Sequence, residues 1–482
     1  MSALTEVPVG PLPPSRFAEV LGEDYRELEP DVHRAQDELR GRVVWHVNST
    51  ARGGGVAEML HSHLSYARGA GVDVRWIVIA GDAETDFFTV TKRIHNNLHE
   101  SPGDGGPLDS AAREVYERNL VESARELSQL VAEGDIVFLH DPQTAGLVPA
   151  VREAGAIVVW RCHVGIDRPG ELARRAWDFL RPDVERADAW VFSRREFVWE
   201  GLDLARVWIV PPTIDVFSPK NQELEPDAVA AILEVIGLSE SGSDSVPMFR
   251  RQDGTPQRVN RPARIEQDER LPAEAQMVTQ VSRWDRLKDP VGLVRLFGEH
   301  LGPSGARLVL AGPDVEAVDD DPEGAEVLAE VRAARGALED SLRHRVHLVS
   351  LPMEDLEENA AMVNALQRRA DVVVQKSIAE GFGLTVAEAM WKARPVVASR
   401  VGGIQDQIVD GESGLLVDDP TDLAGFGSAI EGLLSDPERA AAMGRAARER
   451  VASNFLAVGR MLQYFRNIEA LIETGTPASS VA

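Results

Sequence analysis

The chain has 482 residues with 51 basic and 78 acidic side chains, so its formal net charge is −27. A strongly acidic chain is a poor default partner for nucleic acid or an anionic membrane, so we expect neither as a ligand. No stretch approaches the ~18 apolar residues of a membrane span. Residues 1–24 lack the basic and apolar segments of a secretory signal, and we expect a loose, proline-rich tail. The single cysteine, Cys162, excludes an internal disulfide and indicates a cytoplasmic protein.

Residues 25–212 alternate apolar runs with helical patterns, an order that predicts a parallel sheet with helices on both faces. The first strand of this half runs into Gly53, Gly54 and Gly55 at the start of a helix. Glycines at such a junction let the backbone approach a ligand, although a tight turn alone also explains them. Residues 91–97 are expected to belong to a long polar connection.

Polar side chains follow the later strands of this half at their carboxyl ends. Asp141 and Gln143 come after one strand, and His163 and Asp167 come after the next. Doubly wound sheets place their sites at this edge, so these four residues are candidates for a binding site. A lone histidine at a strand end is more often only hydrogen-bonded, so the pattern by itself assigns His163 no role.

The proline-rich segment 211–221 is predicted to link two halves of similar size, with the second domain at 213–456. Strands and helices alternate again in this half, and the cleft between two such domains suits an enzyme with two substrates. An irregular, arginine-rich insert occupies residues 239–274. A segment of this length is either a functional loop whose arginines guard the cleft or a solvent-exposed excursion.

Residues 371–391 combine a buried strand, a glycine turn and a helix. The strand is followed by a Glu-Gly-Phe-Gly turn at 380–383, and the helix begins near Thr385. Free N–H groups and the helix dipole at such an N-terminus favour a phosphate. A bound phosphate repels carboxylates, so Glu380 and Glu388 are expected to bind neutral hydroxyl groups, as a nucleotide sugar offers. A structural turn flanked by surface glutamates explains the spacing equally well.

A cluster of cations follows the first strand of the second half, where Arg283, Arg286 and Lys288 lie within six residues. Arginine offers a bidentate fork to phosphate and lysine offers a mobile charge. Such groups could neutralise a leaving diphosphate. Surface ion pairs with Asp285 and Asp289 are the alternative explanation.

These features together resemble the retaining glycosyltransferases of the GT-B fold, the large family that includes the sucrose- and glycogen-type synthases. More narrowly, the chain resembles the trehalose glycosyltransferring synthases. The stretches that carry this narrower resemblance are Trp45-His-Val-Asn-Ser-Thr-Ala-Arg-Gly-Gly-Gly-Val-Ala-Glu58, His140-Asp-Pro-Gln143, Arg161-Cys-His-Val-Gly-Ile-Asp167 and Gln280-Val-Ser-Arg-Trp-Asp285, while the pair Glu380…Glu388 belongs to the wider one.

The resemblance implies an α/β protein with two doubly wound, Rossmann-like domains facing a central cleft. The first domain would bind the acceptor, and the C-terminal helix, 457–482, would cross back to it. The second domain would bind the nucleotide sugar. Expected catalytic residues are His163, Arg283, Lys288 and Glu380. Asp141, Gln143 and Asp167 are expected to bind the acceptor. Expected contacts to the nucleotide sugar are Gly54, Gly55, Arg283, Lys288, Gly381, Phe382, Gly383, Leu384, Thr385 and Glu388.

The implied reaction joins a nucleoside-diphosphate glucose, such as ADP-glucose or UDP-glucose, to free glucose with retention of configuration, giving α,α-trehalose. The resemblance implies no cofactor and no metal for this chemistry, small-molecule substrates as partners, and leaves a homo-oligomer open. Two other classes of function stay open. One is transfer to a sugar phosphate, oligosaccharide or lipid, and the other is a non-catalytic sensor of nucleotide sugars on the same fold.

Overall fold

The computed structural model describes residues 2–51, 54–80, 86–240, 245–315 and 322–474. The chain divides into unit 1, Met1–Thr213 with Phe455–Ala482, and unit 2, Ile214–Asn454. Within the described ranges, none of the helices combines the length and the apolar character that a membrane span requires.

Unit 1 contains a seven-stranded sheet and its covering helices. The strands are β1 (Leu4–Val7), β2 (Val44–Asn48), β3 (Val74–Ile79), β4 (Ile136–His140), β5 (Ile157–Cys162), β6 (Ala189–Phe192) and β7 (Val207–Ile209). The helices that precede unit 2 are α1 (Ala18–Leu21), α2 (Glu23–Glu38), α3 (Gly54–Gly69), α4 (Phe87–Leu98), α5 (Ser110–Leu130), α6 (Asp141–Ala145), α7 (Val148–Glu153) and α8 (Glu171–Val184).

The strand order of this sheet is β1-β3-β2-β4-β5-β6-β7, and every pair is parallel except β1 with β3. The five residues of β4 are all buried, which fits a central strand covered on both faces. The chain first winds from β2 to β3 and then continues on the other side of β2 with β4. The switch point of unit 1 therefore lies at the carboxyl ends of β2 and β4.

Unit 2 contains a second seven-stranded sheet and a small hairpin. Its strands are β8 (Met248–Arg250), β9 (Pro256–Arg258), β10 (Arg264–Glu266), β11 (Met277–Val281), β12 (Arg307–Pro313), β13 (Val346–Leu351), β14 (Val372–Gln375), β15 (Val396–Ser399) and β16 (Leu415–Val417). Its helices are α9 (Pro226–Val235), α10 (Pro290–Leu296), α11 (Pro322–Gly336), α12 (Asp340–Arg343), α13 (Leu356–Arg369), α14 (Leu384–Trp391), α15 (Ile404–Gln407), α16 (Leu423–Leu434) and α17 (Pro437–Asn454).

The order of this second sheet is β10-β13-β12-β11-β14-β15-β16, antiparallel only at β10. Its switch point lies at the carboxyl ends of β11 and β14. Two buried clusters of apolar side chains in unit 2 each include residues of the central strands β11 and β12. The predicted α/β class with two doubly wound domains is confirmed.

The last helix, α18 (Ala457–Thr474), belongs to unit 1 and packs against α2 and α3. Its apolar side chains are buried, among them Met461, Leu462 and Phe465.

The prediction of a loose tail at residues 1–24 is wrong for its described part. Strand β1 forms the edge of the sheet and pairs with β3, with Leu4 opposite Ile79. Farther along, Phe17 is fully buried and meets the ring of Tyr66 at 5.0 Å between centroids. Backbone pairing and one buried aromatic side chain thus order a segment whose prolines suggested a free chain.

The insert at 239–274 is more ordered than its composition suggests, because it includes the β8–β9 hairpin and the edge strand β10. Arg251 forms ion pairs with Asp355 and Glu357, and Arg261 pairs with the buried Glu358. These contacts attach the insert to the first turn of α13. The polar connection expected at 91–97 is instead part of α4, where Val90 and Ile94 enter the core.

Candidate active site

The site in unit 2 is built from the two loops that follow β11 and β14. Two hydrogen bonds join these segments: the N–H of Lys376 donates to Gln280 Oε1 (3.0 Å), and the N–H of Ile378 donates to the carbonyl of Leu287 (2.7 Å). Gln280 Nε2 also donates to the carbonyl of Lys288 in the loop that follows its own strand (2.9 Å). The loops are therefore fixed to each other at the switch point.

This arrangement brings two of the predicted catalytic residues together. The Nζ atom of Lys288 forms an ion pair with Glu380 Oε2, and Ser377 Oγ donates to the same oxygen at 3.3 Å. Both charged side chains are largely buried, with 18% of Lys288 and 11% of Glu380 exposed. A charge pair at this depth is screened less by water than a surface pair, so its field at a nearby ligand is stronger.

The glycine turn at 380–383 leads directly into α14. Gly383 has φ 82° and ψ 61°, a left-handed conformation that glycine adopts without strain. A Cβ atom there would lie 3.0 Å from Ile404 Cγ1 and 3.2 Å from Glu380 Cγ. Leu384 and Thr385 form the first turn of α14, and Thr385 Oγ1 donates to Gln375 Oε1 at 3.0 Å. The N–H of Val386 already donates to the carbonyl of Gly383 at 2.9 Å, and the N–H groups of Leu384 and Thr385, which precede it, could bind an anion.

Glu388 occupies the following turn of α14 and is only 2% exposed. Its Oε1 lies 3.6 Å from the Nζ atom of Lys220. The next residue of the chain, Asn221, accepts hydrogen bonds from Trp391 Nε1 and Lys392 Nζ, both at 3.0 Å. The predicted linker therefore supports α14, and Glu388 is a buried carboxylate beside a cation rather than the surface acid of the alternative explanation.

The other two predicted cations, Arg283 and Arg286, form ion pairs with different acids. Arg283 Nη2 lies 2.9 Å from Asp285 Oδ2, and half of the arginine side chain is exposed. Arg286 contacts three acids of the region around α11, Glu323, Glu326 and Glu330, at 2.7 to 3.5 Å. The ion pair with Asp285 that the alternative explanation names is thus present for Arg283, whereas Arg286 pairs with other acids and Lys288 pairs with Glu380.

In unit 1 the structure brings Asp141 and His163 together. Asp141 Oδ1 accepts the backbone N–H of His163 at 2.8 Å. Burial raises the pKa of Asp141 to about 7, although the hydrogen bond from His163 opposes the shift. Asp141 also has φ 63°, a left-handed conformation that asparagine and aspartate tolerate better than most residues. A strained, desolvated carboxyl group at a switch point is typical of a functional site.

Three imidazole rings form a histidine chain along the carboxyl ends of β2, β4 and β5. His46 Nδ1 lies 3.0 Å from His140 Nε2, and His140 Nδ1 lies 3.1 Å from His163 Nε2. Burial is the main cause of lowered pKa values along the chain, and the Arg161 charge adds to it. The pKa of His46 falls to about 3, and the values for His140 and His163 fall well below the ordinary one. All three rings are neutral near pH 7.

Arg161 is fully buried beside this chain. Its Nε lies 3.2 Å from His163 Nδ1 and 3.1 Å from His163 Nε2, and its Nη2 donates to the carbonyl of Val210 at 3.0 Å. Its Nη1 donates to the hydroxyl of Tyr464 on α18. All three nitrogens of the guanidinium are thus engaged within unit 1.

The other site residues predicted in unit 1 are Asp167, Gln143 and the glycines at 53–55. Asp167 pairs with the buried Arg194, with 2.6 Å between Oδ1 and Nη1. Gln143 is half-buried on α6. Gly54 and Gly55 open α3, whereas Gly53 and the neighbouring Arg52 lie outside the described residues.

Cys162 is a packed thiol, as expected. Its side chain is fully buried, its Sγ donates to the carbonyl of Val164 at 3.1 Å, and burial raises its pKa well above the ordinary value.

Sequence reasoning missed several residues that build these clusters: His46, His140, Tyr464, Lys220 and Lys376. The two histidines share one signal with His163, because each lies in or directly after a buried strand of the first half. Gly402 was also missed, and a Cβ there would lie 1.7 Å from the carbonyl oxygen of Glu380. A glycine pair after a buried strand is the signal for that close approach.

Comparison with known proteins identifies the family. Residues 46–199 match the family model "Trehalose synthase, N-terminal domain", and residues 263–450 match "Glycosyl transferases group 1". A trehalose synthase from Rubrobacter xylanophilus is 38% identical over 440 residues, which cover 89% of this chain and 91% of that protein. This chain belongs to the trehalose synthase family. The resemblance inferred from the strand-end motifs is therefore confirmed.

Solved structures support the GT-B fold of this trehalose synthase family member. A trehalose-6-phosphate synthase matches with a TM-score of 0.66 at 15% identity, over 91% of this chain and 100% of that one. A protein from Anabaena, in complex with UDP and glucose, matches with a TM-score of 0.55 at 14% identity, over 88% and 98% of the two chains. The protein is thus a GT-B glycosyltransferase that acts in trehalose metabolism.

Proposed function

We propose that this trehalose synthase family member transfers glucose from a nucleoside-diphosphate glucose to free glucose with retention, giving α,α-trehalose. The observation that carries the proposal is the Lys288–Glu380 ion pair at the entrance to the glycine turn and α14. It joins a cation for a diphosphate to a carboxylate for sugar hydroxyls at one switch point. The Anabaena structure supports such a ligand on this fold, since it contains UDP and glucose.

In the proposed reaction, Lys288 and Arg283 neutralise the charge that develops on the diphosphate as the glycosidic bond breaks. The half-exposed Arg283 can turn from Asp285 to the ligand. The amides of Gly381, Phe382, Gly383 and Leu384, together with Thr385, would surround sugar and phosphate. Glu388 would bind the ribose hydroxyls, with Lys220 holding its carboxylate in place. No metal or cofactor is part of the proposal.

The setting of Glu380 favours attack on the same face that the leaving group departs from. A covalent mechanism needs a free carboxylate as nucleophile. Glu380 is stabilised by Lys288 and by the hydroxyl of Ser377. It is therefore better suited to holding the hydroxyls of the donor sugar. A phosphate oxygen of the leaving group would take the proton of the acceptor hydroxyl.

Unit 1 supports an uncharged acceptor. Two arginines of the strand-end motifs, Arg52 and Arg161, are candidates for binding an acceptor phosphate, and Arg52 lies outside the described residues. Arg161 is fully buried and occupied by His163, Val210 and Tyr464. A phosphate needs accessible cations, whereas a free sugar needs hydroxyl partners. We assign this role to Asp141, Gln143 and Asp167, with Gly54 and Gly55 beside the ligands and His163 at the reaction centre.

The decisive experiment is an acceptor screen with purified protein. ADP-glucose, UDP-glucose and GDP-glucose are each incubated with glucose and with glucose 6-phosphate, and the products are identified by NMR. We expect α,α-trehalose from free glucose. Product formed only from glucose 6-phosphate would refute the proposed acceptor.

A parallel arm tests the donor, with trehalose and inorganic phosphate in place of the nucleotide. We expect no glucose phosphate from this mixture. Phosphorolysis without any transfer from the three nucleotides would refute the proposed donor. Nucleotide-sugar binding without transfer to either acceptor would favour the sensor.

A further inference from the structure

The histidine chain has the geometry of rings joined in line by hydrogen bonds. The ring planes of His46 and His140 are inclined by 27°, and those of His140 and His163 by 15°. The centroid separations, 5.2 and 5.4 Å, exceed the nitrogen–nitrogen distances by about one ring diameter. The lone pair and the N–H of an imidazole lie in the ring plane, so nearly coplanar rings make good partners.

The nitrogen that carries the proton in one ring determines the protonated nitrogen in the next ring. A neutral imidazole has one N–H donor and one acceptor nitrogen, and each nitrogen–nitrogen contact holds a single proton. Two arrangements satisfy both contacts. In the first, all three rings carry the proton on Nε2, and His163 donates to His140, which donates to His46. In the second, all three carry it on Nδ1 and every donation is reversed.

Arg161 selects between these arrangements, because arginine only donates. Its Nε–H faces both ring nitrogens of His163. In the first arrangement, His163 Nδ1 is free to accept from Arg161 while Nε2–H donates to His140. In the second, His163 Nε2 would receive two donors, Arg161 and His140, on one lone pair, and His163 Nδ1–H would have no acceptor among these four side chains. The first arrangement gives each donor its own acceptor.

We propose that His140 and His46 are positioning residues that hold His163 in its Nε2–H tautomer and fix the orientation of its ring. The proposal rests on the proposed function only in assigning His163 to the reaction centre. His163 then has one acceptor nitrogen, Nδ1, which it shares with Arg161. Because Arg161 donates to that nitrogen and His140 accepts the Nε2–H, His163 has no proton to release to a sugar hydroxyl.

The first test is spectroscopic and needs no substrate. Histidine side chains are labelled with ¹⁵N, and the tautomers of His46, His140 and His163 are determined by two-dimensional NMR on the wild-type protein at pH 7. Asparagine substitutions at each position assign the signals. We expect protonated Nε2 in all three rings. Protonated Nδ1 in the three rings, or a rapid average of the two forms, would overturn the proposal.

The second test uses the shapes of two amides. The amide of asparagine overlaps the Nδ1 position of histidine, and that of glutamine reaches the Nε2 position. His140→Asn therefore keeps an acceptor for His163 Nε2–H, whereas His140→Gln removes it. We expect His140→Gln to lower kcat roughly 10–100-fold with the donor KM unchanged, as loss of an orienting partner does. His140→Asn should retain most of the wild-type kcat.

The matched control is His347 in unit 2, a fully buried histidine on β13 whose Nδ1 contacts Gln267 Oε1 at 3.0 Å. His347→Asn and His347→Gln report the cost in thermal stability of each amide in a buried strand, and we expect normal kcat in both. Equal kcat in His140→Asn and His140→Gln would overturn the positioning role. Absence of transfer by the wild-type protein would refute the proposed function, and the NMR result would still decide the tautomer.

Discussion

The switch points of the two sheets differ in how their polar groups are neutralised. In unit 2, opposite charges lie side by side, Lys288 with Glu380 and Lys376 with Asp289. In unit 1, burial keeps three imidazoles neutral and raises the pKa of Asp141 to about 7. A charged pair can exchange one partner for a ligand, whereas a neutral hydrogen-bonded chain keeps its partners. The first arrangement suits binding of a diphosphate, and the second suits precise orientation of an uncharged sugar.

The largest effect is expected from removing Lys288, the cation that pairs with Glu380 in unit 2. We expect Lys288→Ala to lower kcat/KM for transfer by roughly 10²–10³-fold, since a charge that stabilises a leaving group contributes about 2.7–4 kcal/mol. Steady-state kinetics with the nucleotide donor measures the effect. Arg332→Ala, which removes an arginine from the surface pair with Glu266, is the control and should behave as wild type. Activity of Lys288→Ala within tenfold of wild type would contradict the assigned role.

The raised pKa of Asp141 in unit 1 predicts that the free energy of unfolding depends on pH. The pKa of Asp141 is raised from 3.8 to about 7, so the folded state binds the proton more tightly than the unfolded state. Proton binding by Asp141 contributes fully to the free energy of unfolding below pH 4. This contribution is lost as the pH rises to about 7, and the free energy of unfolding falls by at most about 1.4 kcal/mol per pH unit.

Asp141→Asn should remove this slope while keeping the acceptor for the His163 N–H and tolerating the positive φ. Urea unfolding of both proteins between pH 4 and 8 measures the difference. The stability of the variant should rise relative to wild type across this range. Parallel pH profiles would show that Asp141 is ionised in the folded state.

Ionic strength gives the smallest expected effect and compares the salt dependence of the donor KM with that of the glucose KM. Salt screens the attraction between a diphosphate and partly buried cations, so the donor KM should rise about two- to fourfold between roughly 0.05 and 0.5 M KCl. The KM of free glucose should stay constant, because neither the sugar nor the histidine chain carries charge. Equal salt dependence of the two KM values would argue against an uncharged acceptor site.

Much of the fold could be predicted from the sequence, because buried parallel strands and amphipathic helices are local patterns. The same holds for the glycine turn at 380–383, where residue type and position in a strand–turn–helix indicate an anion site. Arg286 and Lys288 show the limit of local reasoning. Both stand on one short 3₁₀ turn, Arg286–Lys288, and only the positions of α11 and β14 decide which acid each one meets.

The histidine chain could not be predicted because its contacts join residues far apart in sequence. His46 and His140 are separated by 94 positions. They meet only because β2 and β4 are neighbours in the sheet. The ordered start of the chain is a similar case, since β1 pairs with β3, which comes later in the sequence. Lys220 was hidden in a predicted linker, where prolines dominate the pattern.

The position of α18 in the chain has a consequence for synthesis. Its Tyr464 contacts Arg161, and its apolar face covers α2 and α3, yet it emerges from the ribosome only after all of unit 2. Domains generally fold as they are made. Unit 1 is therefore translated first and completed last, and until then the apolar faces of α2 and α3 that α18 covers lack their partner.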